Sequence, residues 1–297
     1  MLKLSRERTG FIVTVISAFA FASKTILAKM SYQYGVDAVT VLALRMIFAG
    51  AIFACVMAFN LLRGRWKLAY TPGQWFSIIL LGVVGYYFSA ILDFSGLMYI
   101  DASLGRMILF LYPTFVVIIN AVLKRQGIHG STWLALGLCY AGIGLMMLPG
   151  IMGHQSANIW LGSGLICASA LVYACYLIGV DRLLKVIEPA QFTSMAMCVS
   201  CLSVLVHFLA TRPIEALLAA PEPVIFNCFL MGTFSTVLPI YALTFGISRI
   251  GSAKAAMISM IGPVLTLIMG VLLLNESLTA VQSAGMALVM IGVWRVK

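Results

Sequence analysis

Apolar residues run along this chain in ten long blocks, separated by short stretches where Gly, Pro and charged residues gather. The blocks fall near 10–30, 38–60, 74–98, 103–123, 130–149, 159–181, 190–210, 222–248, 252–274 and 279–295. An α-helix needs about 20 residues to cross a bilayer, and most of the blocks are close to that length. Between them stand turn and charge signals such as Arg63-Gly64-Arg65-Trp66-Lys67, Lys124-Arg125-Gln126-Gly127, Pro149-Gly150, Glu188-Pro189 and Pro221-Glu222-Pro223. Lipid offers no water to an open backbone, so each block is expected to be a transmembrane helix, and nothing here alternates like barrel strands. Lys3, Arg6 and Arg8 precede the first block as they would in a secretion signal. The run from Gly10 to Met30 is longer than a signal core, so it reads as an anchor helix that stays.

Composition agrees. Of 297 residues, 62% are hydrophobic and 9% charged, with a mean hydropathy of +1.07. Soluble domains carry about a quarter charged residues. The loops left between ten spans hold no soluble catalytic or nucleic-acid-binding domain, so the net charge of +10 is read against the membrane and not against nucleic acid. With the N-terminus inside, thirteen of the nineteen Lys and Arg fall on the inner side: Lys3, Arg6, Arg8, Arg63, Arg65, Lys67, Lys124, Arg125, Arg182, Lys185, Arg249, Arg295 and Lys297. Lys29 and Arg212 fall outside, and Lys24, Arg45, Arg106 and Lys254 lie within spans. Basic residues stay on the cytoplasmic side. The expectation is a multi-pass protein of the cell inner membrane with both termini cytoplasmic.

The chain also repeats. Tyr112-Pro113 falls on Gly262-Pro263 at a shift of 150, which carries Gly82 onto Gly232, Gly96 onto Gly246 and Gly142 onto Gly292. Near the start of each half the shift is 152, placing Ala18–Ala22 on Ala170–Ala174 and Asp37-Ala38 on Pro189-Ala190. Residues 1–148 and 149–297 therefore read as two five-helix repeats. Five is odd, so the second enters the membrane from the opposite side. The expected fold is an all-α polytopic membrane protein with ten transmembrane helices in two inverted repeats, and a site near the midplane between them.

Gly262-Pro263, the apolar run to Leu272-Leu273-Leu274-Asn275-Glu276-Ser277-Leu278-Thr279, then Gly285 and Ile291-Gly292-Val293 resemble the end of an EamA-type repeat of the drug/metabolite transporter superfamily. The first half carries a weaker copy in Pro113, Lys124-Arg125-Gln126-Gly127, Gly137 and Gly142-Ile143-Gly144, with Gln126 where the second half has Glu276. Asp37, Arg45 and Ala49 are also similar to the family's pattern in the second span. The resemblance implies a ten-helix carrier of small metabolites, often working outward.

Ionisable residues inside a bilayer are costly and mark function. Asp93 is the one carboxylate expected in the hydrocarbon region, with Lys24, Arg45 and Arg106 at similar depth; their aligned positions in the second half are Leu243, Tyr176, Met197 and Ala256. Three cations against one carboxylate point to a substrate bearing a carboxylate or phosphate, or to a zwitterion such as an amino acid. Lys24, Arg45, Tyr86, Asp93 and Arg106 are the expected substrate-binding residues. Asp93 is read either as a fixed ion-pair partner or as a proton carrier. Pro113, Pro239 and Pro263 lie in expected helix interiors, where they favour bends. Lys254 is expected to snorkel, and Ser277 or Thr279 to cap the last helix.

The seven cysteines lie in apolar runs, and Cys198-Val199-Ser200-Cys201 has no metal partner in sequence, so they read as packing residues. No Walker-type loop is present, and His129, His154 and His207 are scattered, His207 alone in its span. The function expected is a secondary transporter working by alternating access, acting as an exporter, with no cofactor or metal. The alternatives are a facilitative exchanger or uptake carrier and an intramembrane enzyme. Expected partners are a small-molecule substrate, the lipid bilayer and either protons or a counter-substrate; the chain would act as a monomer or homodimer.

Overall fold

The computed structural model describes residues 6–66, 68–97, 99, 105, 108–151, 159–265, 268, 272 and 279–295. Among these the regular elements are all helical: α1 (Arg6–Tyr32), α2 (Ala38–Leu62), α3 (Pro72–Gly82), a π-helical segment Val83–Phe88, α4 (Ser89–Leu97), α5 (Tyr112–Lys124), α6 (Gly130–Ile151), α7 (Ile159–Leu183), α8 (Pro189–Thr211), the short α9 (Glu215–Leu218), α10 (Glu222–Gly232), a second π segment Thr233–Val237, α11 (Leu238–Ser259) and α12 (Ala280–Trp294). Five stretches are long and apolar enough to cross a membrane: Val39–Leu62, Pro72–Asp93, Ile159–Leu183, Pro189–Thr211 and Glu222–Ser259. Tyr112–Lys124, Gly130–Met146 and Ala280–Trp294 are shorter apolar helices. The chain is a polytopic membrane protein.

Local sequence fixes the helix ends. Asp37 caps α2, accepting the N–H groups of Val39 and Thr40 at 3.0 and 3.3 Å. Thr71 with Gln74 and Thr279 with Gln282 form reciprocal capping boxes at the starts of α3 and α12, so Thr279 is the cap of the last helix. Gly251, at φ 81° and ψ 163°, breaks the Glu222–Ser259 rod in a backbone region open essentially to glycine alone. The blocks expected at 222–248 and 252–274 meet there.

Contacts repeat across the two halves at the register read from the sequence. The Ser17 hydroxyl of α1 donates to the Pro239 carbonyl at 2.7 Å, and the Ser169 hydroxyl of α7 donates to the Ser89 carbonyl at 2.7 Å. A Cβ at Gly246 would stand 3.5 Å from the Gly10 carbonyl oxygen, and one at Gly96 would stand 2.8 Å from that of Gly162. The α6–α12 contact is its own mate: a Cβ at Gly142 would meet the Gly285 carbonyl oxygen at 2.5 Å, and one at Gly292 would meet that of Ala135 at 2.9 Å. In each pair, later residues on one helix meet earlier residues on the other, so the paired helices run antiparallel.

The same contacts sort the helix ends. Arg6 donates to the Ser248 carbonyl at 3.3 Å, the Trp66 indole N–H to Glu188 at 2.9 Å, and Asn120 to Ser252 at 3.1 Å. One end of the bundle thus gathers the start of α1, the ends of α2, α5 and α7, the start of α8 and the Gly251 break. That end holds Arg6, Arg8, Arg63, Arg65, Lys124, Arg125, Arg182, Lys185, Arg249 and Lys254. We refer to it as the basic end. At the far end Asp37 pairs with Arg212 at 3.5 Å. Lys254, expected to snorkel, reaches the exposed Glu7 of α1 at 3.2 Å, because the antiparallel α1–α11 contact brings the two together.

Two of the three prolines sit differently from the expectation of helix interiors, whereas Pro239 lies inside the Glu222–Ser259 rod. Pro113 lies in the first turn of α5, after a tight turn in which the Leu111 N–H reaches Ile108; Ile261 and Ile258 make the same turn before Pro263. A proline has no N–H to lose in a first turn. Pro239 follows the second π segment. The helix deformations therefore lie just before the prolines.

Candidate functional site

The two π segments occupy matching places in the third and eighth spans. In each, one N–H reaches back five residues, from Ser89 to Val84 and from Leu238 to Thr233. Such single π turns inside α-helices occur frequently at functional sites. The glycine before each is forced by close approach: a Cβ at Gly82 would meet the Ala196 carbonyl oxygen at 2.6 Å, and one at Gly232 that of Arg45 at 2.8 Å. Each π segment thus lies against the middle of α8 or α2.

From the first π segment Tyr86 enters an aromatic group. Its ring makes edge contacts with Tyr176 at 5.2 Å and Tyr173 at 6.4 Å. Tyr173 stacks on Tyr176 at 5.8 Å and meets Tyr112 edge-on at 5.1 Å. From the second π segment Ser235 shares a 2.6 Å hydrogen bond with Ser23 of α1. The hydroxyl of Thr236, the residue aligned with Tyr86, is buried and finds no hydrogen-bond partner among the described residues.

Two expected binding residues converge on these segments. Arg45 is 9% exposed, and its backbone carbonyl lies against Gly232, directly before the second π segment. Lys24 follows Ser23 and is half-buried, with its ammonium 6.0 Å from the centre of the Phe21 ring. Phe21 in turn packs against the tyrosine-containing core. Asp93 is half-buried in α4, between Ser89 and Gly96 on the face toward α7. Arg106 lies outside the described residues, as does Glu276.

Several residues were not singled out from sequence. Tyr173 and Tyr176 stand at the positions aligned with Phe21 and Lys24, so the 152-residue register held a signal for them. His207 finds a partner on another span: its Nδ1 lies 3.2 Å from the Tyr87 hydroxyl. That pair borders a groove of about 140 Å³ with Ile91 and Ser95. The aligned Val237, Tyr241 and Phe245 border a second groove of about 570 Å³. Among the described residues no group of three His, Cys, Asp or Glu is placed to hold a metal ion.

Comparison with known proteins agrees with this architecture. The model of the EamA-like transporter family matches residues 8–148 and again 160–296. The chain belongs to the EamA-like transporter family. As an EamA-like protein it is 28% identical, over 95% of its length and 91% of the relative's, to the uncharacterized transporter YcbK of Bacillus subtilis (strain 168). It is 26% identical, over 90% of its length and 92% of the relative's, to an uncharacterized transporter of Archaeoglobus fulgidus. A solved crystal structure shares its fold at a TM-score of 0.81 and 14% identity, covering 96% of this chain and 95% of that one. The family assignment and these relatives make the EamA-like chain a membrane transporter.

Proposed function

We propose that the chain is a secondary carrier for a small metabolite bearing a carboxylate, anionic or zwitterionic as in an amino acid, bound beside the buried cluster against which Tyr86 and Val237 of the two π segments pack. The observation that carries this reading is the burial of Arg45, 9% exposed, on the span that packs against Gly232 and the second π segment. A buried guanidinium favours a planar carboxylate, and the tyrosines offer an apolar body with polar edges. Lys24 adds a second cation beside the same core, and Arg106 a third in the sequence. Asp93 supplies one negative charge to the set, as a fixed partner of these cations or as a site for a proton. The basic end faces the cytoplasm in this reading, since basic residues are retained there, and both termini then lie on the inner side of the cell inner membrane. Export is the direction that the family resemblance implies.

Two measurements test it. A reporter fused after Lys297 is expected to score cytoplasmic; a signal from the opposite side would overturn the orientation. Proteoliposomes loaded with a panel of radiolabelled amino acids and monocarboxylates are expected to show counterflow for at least one member, weakened by Lys24→Ala. Counterflow of cationic or neutral solutes alone would overturn the substrate class. Uphill accumulation without any gradient of protons or counter-substrate would overturn secondary transport.

A further inference from the structure

The start of the ninth span is held at the basic end by a directional chain of hydrogen bonds that no sequence signal marks. Gly251 turns the backbone out of the helix, so the N–H of Ser252 begins a new one and needs an acceptor. Asp181, at the end of α7 and 71 residues away, supplies it: its Oδ2 accepts the Ser252 N–H at 3.2 Å and the Ser252 hydroxyl at 2.9 Å. The hydroxyl, having donated to Asp181, accepts from the Asn120 side-chain amide of α5 at 3.1 Å. Ser252 itself is 1% exposed. Two residues on, Lys254 reaches Glu7 of α1. One short segment is thereby tied to the sixth span of its own repeat and to the fourth and first spans of the other.

The far end has the exposed Asp37–Arg212 pair but no residues equivalent to these. The shifts of 150 and 152 that relate the halves carry Asp181 onto Lys29, Ser252 onto Ala102 and Asn120 onto Gly270. They carry Lys254 onto Leu104 and Glu7 onto Ile159. A lysine, an alanine and a glycine cannot make a carboxylate–hydroxyl–amide chain, and a leucine and an isoleucine cannot make an ion pair. In a carrier built from two inverted copies, closing either end uses equivalent contacts, so a contact present at only one end biases the exchange between the two states.

We propose that Asp181, Ser252 and Asn120 form a one-sided latch that holds the basic end closed, and that this chain therefore rests with its basic end sealed. The latch rests on the carrier reading only for its use; the geometry and its test need no substrate.

The experiment measures thiol access. Ala255 lies one turn beyond the latch and is 1% exposed. Ala255→Cys, in a full-length chain whose seven native cysteines are replaced, is reacted with a membrane-impermeant cationic methanethiosulfonate in sealed right-side-out and inside-out vesicles. Asp181→Ala is expected to raise the labelling rate on the order of tenfold, the scale of one lost hydrogen bond to a charged group. The rise is expected only in the vesicles that expose the basic end. Asp181→Asn keeps an acceptor oxygen and is expected to recover most of the slow labelling. Asn120→Ala leaves the helix cap intact and removes only the tie between repeats; it is expected to move the rate in the same direction, which keeps the test open if Asp181→Ala does not fold. An unchanged rate in Asn120→Ala, or an equal rise from both sides, overturns the latch and leaves Asp181 as a helix cap. Failure of the carrier reading would show separately, as absent counterflow with side-specific labelling intact.

Discussion

Lys24 and Tyr176 occupy equivalent places in the two halves: each stands seven residues beyond the serine, Ser17 or Ser169, whose hydroxyl ties its helix to the facing span at 2.7 Å. One half thus presents an ammonium where the other presents a phenol ring. In the proposed site a substrate between them would meet charge on one side and an aromatic wall on the other.

The charged side should dominate carboxylate recognition. Lys24→Ala is expected to lower the uptake efficiency of the cognate carboxylate by about tenfold or more, the scale of one charge-assisted hydrogen bond. Tyr176→Phe keeps the ring and is expected to change it less than about threefold, a loss below that of an ordinary neutral hydrogen bond. Initial rates in proteoliposomes read both. A carboxylate carried equally well by Lys24→Ala would remove this residue from the site.

Asp93 separates its two roles on one substitution. As a fixed partner, Asp93→Asn is expected to lower the folded yield and melting temperature, because a cation loses its counter-charge in a low-dielectric setting. Neutralising Arg45 or Arg106 as well should restore part of the loss. A proton carrier gives the opposite pattern, a folded protein that still exchanges substrate and ignores a pH gradient. Thermal unfolding in detergent and flux under an imposed gradient decide between them.

The far end responds to acid through Asp37. Burial raises its pKa, but the Thr40 hydroxyl, the N–H groups of Thr40 and Val39, and nearby Arg212 together hold it below the ordinary value of 3.8. A carboxylate depressed on folding contributes fully above pH 3.8 and loses its contribution as pH falls through the lower folded value. Amide exchange at Val39 and Thr40 is therefore expected to be slow above that pH and to quicken below it. Asp37→Asn, which retains a capping oxygen, should flatten the acid limb. Exchange that quickens equally in Asp37→Asn would assign the effect to other groups.

At the α6–α12 crossing, backbone meets backbone. Gly142→Leu must push two helices apart, since its Cβ would already stand 2.5 Å from a carbonyl oxygen. The expected cost is about 1–3 kcal/mol or more, as for overpacked cores, seen as a lower midpoint in detergent thermal unfolding. Gly137, with no atom within 4 Å of an added Cβ, should tolerate Gly137→Ala. Equal midpoints for the two variants would contradict the close approach.

The apolar helices and the repeat register were legible because lipid imposes apolar length and a duplicated fold keeps its glycines where helices touch. Gly96, Gly246, Gly142 and Gly292 carried that information. The Thr279 cap and the gathering of basic residues at one end were legible for similarly local reasons. The π segments were not, since Gly85 in Val83–Phe88 and Pro239 just beyond Thr233–Val237 mark irregular helix without saying that an extra residue is accommodated there. Asp181 was passed over as a residue at a span end, and its partner lies 71 positions away. The partners of Lys254 and His207, Glu7 and Tyr87, were not legible for the same reason, being distant in sequence.

The π turn also fixes an angle. Each residue of an α-helix advances the chain by about 100° and 1.5 Å. If Val83–Phe88 rewound as ordinary α-helix with every residue kept, all of Ser89–Leu97 would swing by that angle. Ser89 would leave Ser169, and Asp93 would point toward a different neighbour. The azimuth of the carboxylate is thus inherited from a backbone offset one turn upstream. The third span is a shaft whose keyway is cut by Gly82.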